Sequence, residues 1–407
     1  MNNLLFVTGC FPKEMQQYYL NNSINAYSLA SNVLSWRLIE GFDALDDLNL
    51  TIFSCPFVPF YPKDYKHPIL RSYSWDHKNH GEAYDKVIGC LNVKYFGLFH
   101  KSIRLKKNII EWIENSAANR NILFYSNDFS FMRIIIDLKR RYPDLVITVL
   151  ITDLNEFDND PVKPRTIKAH IKQLMFNYRI HTMYKNMDYA DSFILLADKM
   201  RNYIRIGNRP YLICEGICNA NIPYTPLINH ESVNIVYSGN INKRYGILNI
   251  IEAVHELGDK FQLTICGDGD TRRIIEHLSQ EYLNVHYLGM LSNERVIEEQ
   301  QKADLLINSM PNFGRHTELS FPSKLMEYMI QGRPVMCHKV GGIPDEYDDY
   351  LLYFKDSSIQ GIKSSLIEFS KLSYEEKSNI SSKNRGFMLS CKNQYIQAKR
   401  IIQFIFG

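Results

Sequence analysis

Short runs rich in Val, Ile, Leu and Phe alternate along the chain with amphipathic segments of helical length, the pattern of βαβ units and parallel sheets. In the first half LLFVTG near residue 4, LNLTIFS near 50, NILFYS near 123, LVITVLIT near 148 and DSFILLA near 194 predict strands spaced for crossover helices. A second series follows: VNIVYSG near 236, then FQLTICG, NVHYLG, ADLLINS, RPVMCHK and YLLYF, separated by helical patterns such as GILNIIEAVHEL and TRRIIEHLSQEY. Between the series, CNANIPYTPLINHES is rich in Asn and Pro and has no periodicity, as an interdomain linker should be. The expected fold class is α/β with two Rossmann-like domains: 1–217, a linker 218–232, a second domain 233–390, and a final helix 391–407. That helix has an apolar stripe through Tyr395, Ile396, Ile402 and Phe406 and is expected to pack back on the first domain. Two parallel sheets facing one another would put the carboxyl ends of their strands, where ligands bind, on either side of a cleft.

Composition narrows the function. A chain of 407 residues exceeds what one core usually supports, which agrees with two domains. Hydrophobic residues at 45% and charged residues at 22% exclude extensive disorder, and a formal charge of +3 excludes affinity for duplex nucleic acid built on phosphate neutralisation. The eight cysteines are scattered through apolar runs, and no second pair follows Cys214 and Cys218 at zinc-site spacing. Buried free thiols in a reducing, cytoplasmic compartment are expected. The start MNNLLFVTGCF has no basic region before its short apolar run, and no later run approaches a membrane span.

The stretch ELSFPSKLMEYMIQGRPV, Glu318 to Val335, is the most informative. It lies between two predicted strands, so Ser323 to Ile330 should be a helix starting at the strands' carboxyl ends, with Pro322 and Ser323 as its entry. Free backbone N–H groups at a helix start attract phosphate, and Lys324 adds a full charge. Glu327, three residues on, shares the face of Lys324 and can accept from a pair of ribose hydroxyls. The same residues equally describe a surface helix with a solvated Lys–Glu pair.

FPSKLMEYMIQGRPV followed by VGGIPD resembles the donor-site signature of glycosyltransferase family 4, whose members are retaining enzymes of the GT-B fold. The resemblance extends through YSGNINKRYGI, ICGDGD, NVHYLG and ADLLINS, and reaches weakly into the first half. It implies a nucleotide-sugar donor, UDP-sugar favoured, held mostly by the second domain, with Glu327 on the ribose and Ser323–Lys324 on the diphosphate. The family's first signature glutamate falls on Leu319, leaving Glu318 one residue out of register as the sugar-contacting candidate. Its diphosphate-gripping Arg and Lys fall on Asn240 and Tyr245, in the loop after Gly239, so the neighbouring Lys243 and Arg244 are the substitutes. Met290 and Leu291 would lie near the base. No dedicated metal site or cofactor is expected, although Asp158–Asp160 and Asp268–Asp270 match the Asp-x-Asp metal pattern of the other large glycosyltransferase fold.

In the first domain Gly9, in VTGCFP, can bring backbone near an acceptor. The family often carries a His after a strand here; FYSNDFSF has none, which leaves Asn127 and Asp128, with Asp153 in LITDLNEF, as candidates for the catalytic polar groups. His100 is an alternative base and equally an ordinary helix residue. From Ile167 to Tyr178, Ile167, Ile171, Leu174, Met175 and Tyr178 share a helix face beside a basic stripe of Arg165, Lys168, Lys172 and Arg179. Such a helix suits an anionic membrane surface, here the inner face of the cell membrane, and a polyprenyl-diphosphate-linked acceptor; it equally suits a core helix with a solvated flank. The resulting expectation is a cytoplasmic hexosyltransferase of surface polysaccharide biosynthesis. A nucleotide-sugar 2-epimerase of the same fold and a non-catalytic homologue are the alternatives.

Overall fold

The computed structural model describes residues 2–24, 29–78, 84–116, 120–126, 128–154, 166–312 and 314–407. The chain divides into two units, Met1–Glu215 with Gln394–Gly407, and Gly216–Asn393.

The first unit holds an eight-stranded sheet among the described residues, in the order β3-β4-β2-β1-β5-β6-β7-β8. Its strands are β1 (Asn2–Thr8), β2 (Leu48–Ser54), β3 (Tyr73–Trp75), β4 (Asp85–Val87), β5 (Arg120–Tyr125), β6 (Val146–Ile151), β7 (Ser192–Leu195) and β8 (Tyr211–Ile213). All neighbours are parallel except β3 and β4. The helices are α1 (Gln16–Asn21), α2 (Ala30–Asp43), α3 (Phe96–Asn115), α4 (Phe129–Arg141), α5 (Ile167–Met187) and, from the far end of the chain, α13 (Gln394–Phe406). The strand runs are continuously apolar because helices cover both sheet faces, and Leu4, Leu5, Phe6 and Val7 are all buried.

Among the described residues the second unit holds a six-stranded parallel sheet in the order β11-β10-β9-β12-β13-β14. Its elements are β9 (Val233–Ser238), α6 (Ile247–Leu257), β10 (Phe261–Cys266), α7 (Arg272–Glu281), β11 (Val285–Gly289), α8 (Asn293–Lys302), β12 (Leu305–Asn308), α9 (Arg315–Glu318), α10 (Lys324–Ile330), β13 (Val335–Cys337), β14 (Leu352–Tyr353), α11 (Ile359–Ser370) and α12 (Tyr374–Phe387). Counted from β9, this is the doubly wound order 3-2-1-4-5-6, whose winding reverses where β9 meets β12. In α6, Ile247, Ile250, Ile251 and Val254 recur at helical spacing and are buried against the sheet, each worth roughly 1.5–3 kcal/mol.

The stretch 218–232, expected as a linker, is built into the second unit. The Cys218 N–H donates to Lys392 O at 2.9 Å, and Cys218 and Ile222 are buried with Leu325, Tyr328 and Ile330. The final helix begins at Gln394 and buries Ala398, Ile401 and Ile405, whereas Tyr395 and Ile396 of the expected stripe are exposed. Small residues set that rotation: a Cβ on Gly41 of α2 would lie 2.2 Å from Gln394 O and 2.6 Å from Ala398 Cβ. None of the eight cysteines forms a disulfide and seven are buried. No helix among the described residues is long and apolar enough to cross a membrane.

Candidate functional site

Ligands of open parallel sheets bind beyond the carboxyl ends of the strands, where the winding reverses. In the second unit that point gathers the loops after β9, β10 and β12. Gly239 N–H donates to Cys266 O at 2.9 Å, Ile241 N–H to Asp268 O at 3.1 Å, and Gly267 N–H to Gly289 O at 2.9 Å. Gly267 has φ +146°, and a Cβ there would lie 1.8 Å from Gly239 O. Gly246, φ +74°, lets the β9 loop approach Ser309 O at the end of β12.

The helix α10 is positioned over this point by its burial. Leu325, Met326, Tyr328, Met329 and Ile330 are buried, so Lys324 and Glu327 are its one half-open edge. Tyr328 ties the helix to the end of β9: its hydroxyl donates to Ser238 O at 2.8 Å and accepts from Ser238 N at 2.9 Å. Lys324 Nζ donates to Glu327 Oε2 at 2.8 Å, with 39% and 28% of the two side chains exposed. Glu327 Oε1 accepts from Gln300 Nε2 at 2.6 Å, and the same amide nitrogen donates to Ser238 Oγ at 2.8 Å. Gln331 closes the network by donating to Gln300 Oε1 at 3.2 Å. Gln300, Ser238 and Tyr328 belong to this network and were missed by sequence reasoning. Burial pushes the Cys266 thiol up to about 11, with Glu299 raising it and the Lys324 charge opposing, which sets Lys324 close to the end of β10.

Other sequence candidates have different settings. Ser323 takes helical dihedrals and makes no side-chain cap. Glu318 ends the one-turn helix α9, half-buried, and Leu319 after it is buried. Asn240 shapes the turn, its carbonyl accepting from Tyr237 Oη at 2.5 Å and its Oδ1 from Asn242 N at 3.1 Å. Lys243 and Arg244 lie exposed on a single 3₁₀ turn, and Arg244 sits 5.1 Å over the Tyr245 ring. Met290 is exposed and Leu291 half-buried just past β11. In the run Asp268–Asp270, Asp268 Oδ1 accepts from Gly269 N at 2.9 Å and Asp270 Oδ1 from Lys243 N at 2.8 Å, so both carboxylates hold backbone. Asp158–Asp160 lie outside the described residues.

In the first unit Gly9 and Asp128 are engaged by the fold. The room at Gly9 is taken by the Phe57 ring, 2.1 Å from where a Cβ would be, so packing and not an acceptor explains that glycine. Asp128 caps α4 by accepting from Ser130 N at 2.8 Å and pairs with Lys101 Nζ at 3.4 Å. Burial would raise its carboxyl, but the Lys101 charge and the Ser130 bonds win and lower it, which makes it a poor base. Asp153 is exposed just past β6, where its charge adds to burial in raising the Tyr125 phenol. Asn127 lies outside the described residues; Ser126 before it has φ +80°, a backbone strain of the kind that collects at functional loops. His100 Nδ1 accepts from Leu91 N at 3.2 Å, a local helix-to-loop bond.

Residues 221–387, nearly all of the second unit, match the family model described as Glycosyl transferases group 1. Solved structures of similar fold include trehalose-6-phosphate synthase OtsA, 9% identical with TM-score 0.65 over 100% of this chain and 99% of that one. An E. coli structure described as "Trehalose-6-phosphate from E. coli bound with UDP-2-fluoro glucose" is 9% identical, TM-score 0.62, over 100% and 99%. A UDP-forming alpha,alpha-trehalose-phosphate synthase from Burkholderia xenovorans in complex with glucose-6-phosphate is 8% identical, TM-score 0.62, over 100% of both chains. Among curated proteins none matches the sequence. The chain has the GT-B fold of two Rossmann-like domains, and its second unit matches the group 1 glycosyl transferase model.

Proposed function

We propose that the chain is a family 4 glycosyltransferase that moves a sugar from a UDP-sugar to a saccharide or polyprenyl-diphosphate-linked acceptor, with retention and without a metal, in surface polysaccharide synthesis. The observation that carries this reading is the Lys324–Glu327 edge at the winding reversal of a group 1 glycosyl transferase domain. Lys324 supplies a cation for the diphosphate, whose charge grows as its bond to the sugar breaks; one such group is worth about 2.7–4 kcal/mol of barrier. Glu327 holds one donor on each oxygen and has lone pairs left for two vicinal ribose hydroxyls. UDP as the carrier is favoured by the E. coli neighbour bound with UDP-2-fluoro glucose.

The test is thermal stabilisation of the full chain by UDP, GDP, CDP and dTDP, each with magnesium and with EDTA. A shift with UDP that survives EDTA is expected. If no diphosphate raises the melting temperature, the donor-site reading falls. Leu319, buried where the family carries its first glutamate, favours a second reading: a homologue that binds donor and does not transfer it. UDP-glucose binding without hydrolysis or transfer to any acceptor would select that reading.

A further inference from the structure

The helix α5 is apolar on two opposite sides. Toward its C-terminal end Met183 and Met187 are buried, where the helix packs on α4. In its first three turns Ile167, Ile171, Leu174 and Tyr178 recur at helical spacing and are 82%, 53%, 68% and 57% exposed. Placing such residues in water forgoes the burial that usually justifies them. The α3 helix repeats the pattern: Phe96, 80% exposed, Phe99 and Ile103, 61% exposed, lie on one face. An almost wholly apolar groove of about 330 Å³ joins the two helices, floored by Leu98 and Phe129 and walled by Phe99, Leu174 and Met175. A continuous apolar patch of this kind on one face marks an interaction site.

The charge on α3 and α5 around it is cationic, and the nearby acids Asp128 and Asp137 are paired with Lys101 and Lys106. From Lys94 to Ile110 and from Thr166 to Met187 the chain contains no Asp or Glu, while Lys107 and Lys172 are exposed beside the apolar faces. Arg133 sits 4.6 Å over the Phe99 ring and Arg179 5.8 Å over Phe129, so both guanidinium groups border the groove. A second copy of the chain would set this cationic rim against itself. A bilayer with anionic headgroups satisfies both halves of the surface at once, apolar side chains entering the acyl boundary and cations meeting phosphates.

We propose that the α3–α5 face of the first unit docks on an anionic phospholipid membrane, Phe96, Ile171 and Leu174 entering the interface. The inference stands on the first unit alone and does not depend on the donor-site reading.

The test is co-sedimentation of the full chain with vesicles of phosphatidylcholine, or of phosphatidylcholine with one third phosphatidylglycerol, at low and high salt. Binding to the anionic vesicles, weakened by salt, is expected; Lys107→Glu and Lys172→Glu should each weaken it at least about fivefold. The exposed substitutions Phe96→Ser and Leu174→Ser should abolish it while leaving the melting temperature within a degree or two. Equal binding by the serine variants, or no binding to anionic vesicles, overturns the proposal. So does a dimer in solution that Leu174→Ser converts to monomer, because the apolar face would then belong to a second copy. UDP stabilisation measured in parallel separates failure here from failure of the donor site.

Discussion

Gln300 Nε2 lies 2.6 Å from Glu327 Oε1, and Gln300 is itself completely buried. One amide thus links the outward carboxylate of α10 to Ser238 at the end of β9, 2.8 Å away. The carboxylate orientation follows from that link as much as from Lys324, because an ion pair between two partly exposed side chains contributes little geometry by itself.

Gln300→Leu keeps the side-chain size and removes all three bonds. Leaving Glu327, Ser238 and Gln331 each short of a partner should destabilise the fold by about 1–3 kcal/mol. UDP should bind roughly tenfold more weakly, equivalent to about 1.4 kcal/mol, as read by calorimetry. Wild-type affinity in this variant would show that Gln300 does not orient Glu327.

Gly267→Ala should disable the site through backbone. The left-handed φ of +146° and the 1.8 Å approach to Gly239 O leave no room, so a loss of at least about 1–3 kcal/mol and of the UDP-induced thermal shift is expected. Gly258→Ala is the control. It has nothing within 4 Å of its would-be Cβ, but φ +74° and ψ −164° lie in a region nearly reserved for glycine. The substitution should likewise cost about 1–3 kcal/mol with UDP binding intact, separating loss of stability from loss of the site.

Asp128 should prove structural. Asp128→Ala leaves Lys101 buried without its partner and should cost roughly 3–5 kcal/mol, whereas Asp128→Asn keeps an acceptor for Ser130 N, loses less, and transfers sugar at the wild-type kcat. Its carboxyl is lowered in the folded state, so its stabilisation is present above the ordinary value of 3.8 and disappears as pH falls through the lower folded value. Denaturant unfolding and initial rates check both halves.

His77 predicts loss of stability at alkaline pH. Burial alone would lower its pKa, but its bonds to Asp43 at 2.9 Å and Asp85 at 2.6 Å win and raise it to about 9. A raised folded value means the contribution is complete below 6.5 and is lost as pH rises through about 9. Wild type should therefore lose roughly 1–3 kcal/mol more than His77→Gln between neutral pH and the alkaline side of that range, measured by urea unfolding. Parallel profiles for the two proteins would contradict it.

Much of the scaffold was legible locally. A strand buried on both faces is a continuous apolar run, so β1, β2, β5, β6 and β7 and the strands of the second unit could be read directly. The pair β3 and β4 could not, because YSW and DKV are three residues each and carry no period. Lys324 and Glu327 were legible as an i,i+3 pair, whereas Gln300 stands 27 residues upstream in NERVIEEQQK, which reads as a solvated helix. Asp128 read as a base beside a strand end until Lys101, from the second turn of α3, came to neutralise it.

The amino-acid sequence by itself determined the alternation of strands and helices, the two units and the polar edge of α10, because periodicity and helix spacing are properties of neighbouring residues. Only the tertiary structure decided which polar groups are spent on the fold and which apolar faces stay bare. Gln300 behind Glu327, Phe57 in the space of Gly9 and the uncovered face of α5 all depend on elements brought together from distant parts of the chain, whose packing no local pattern encodes.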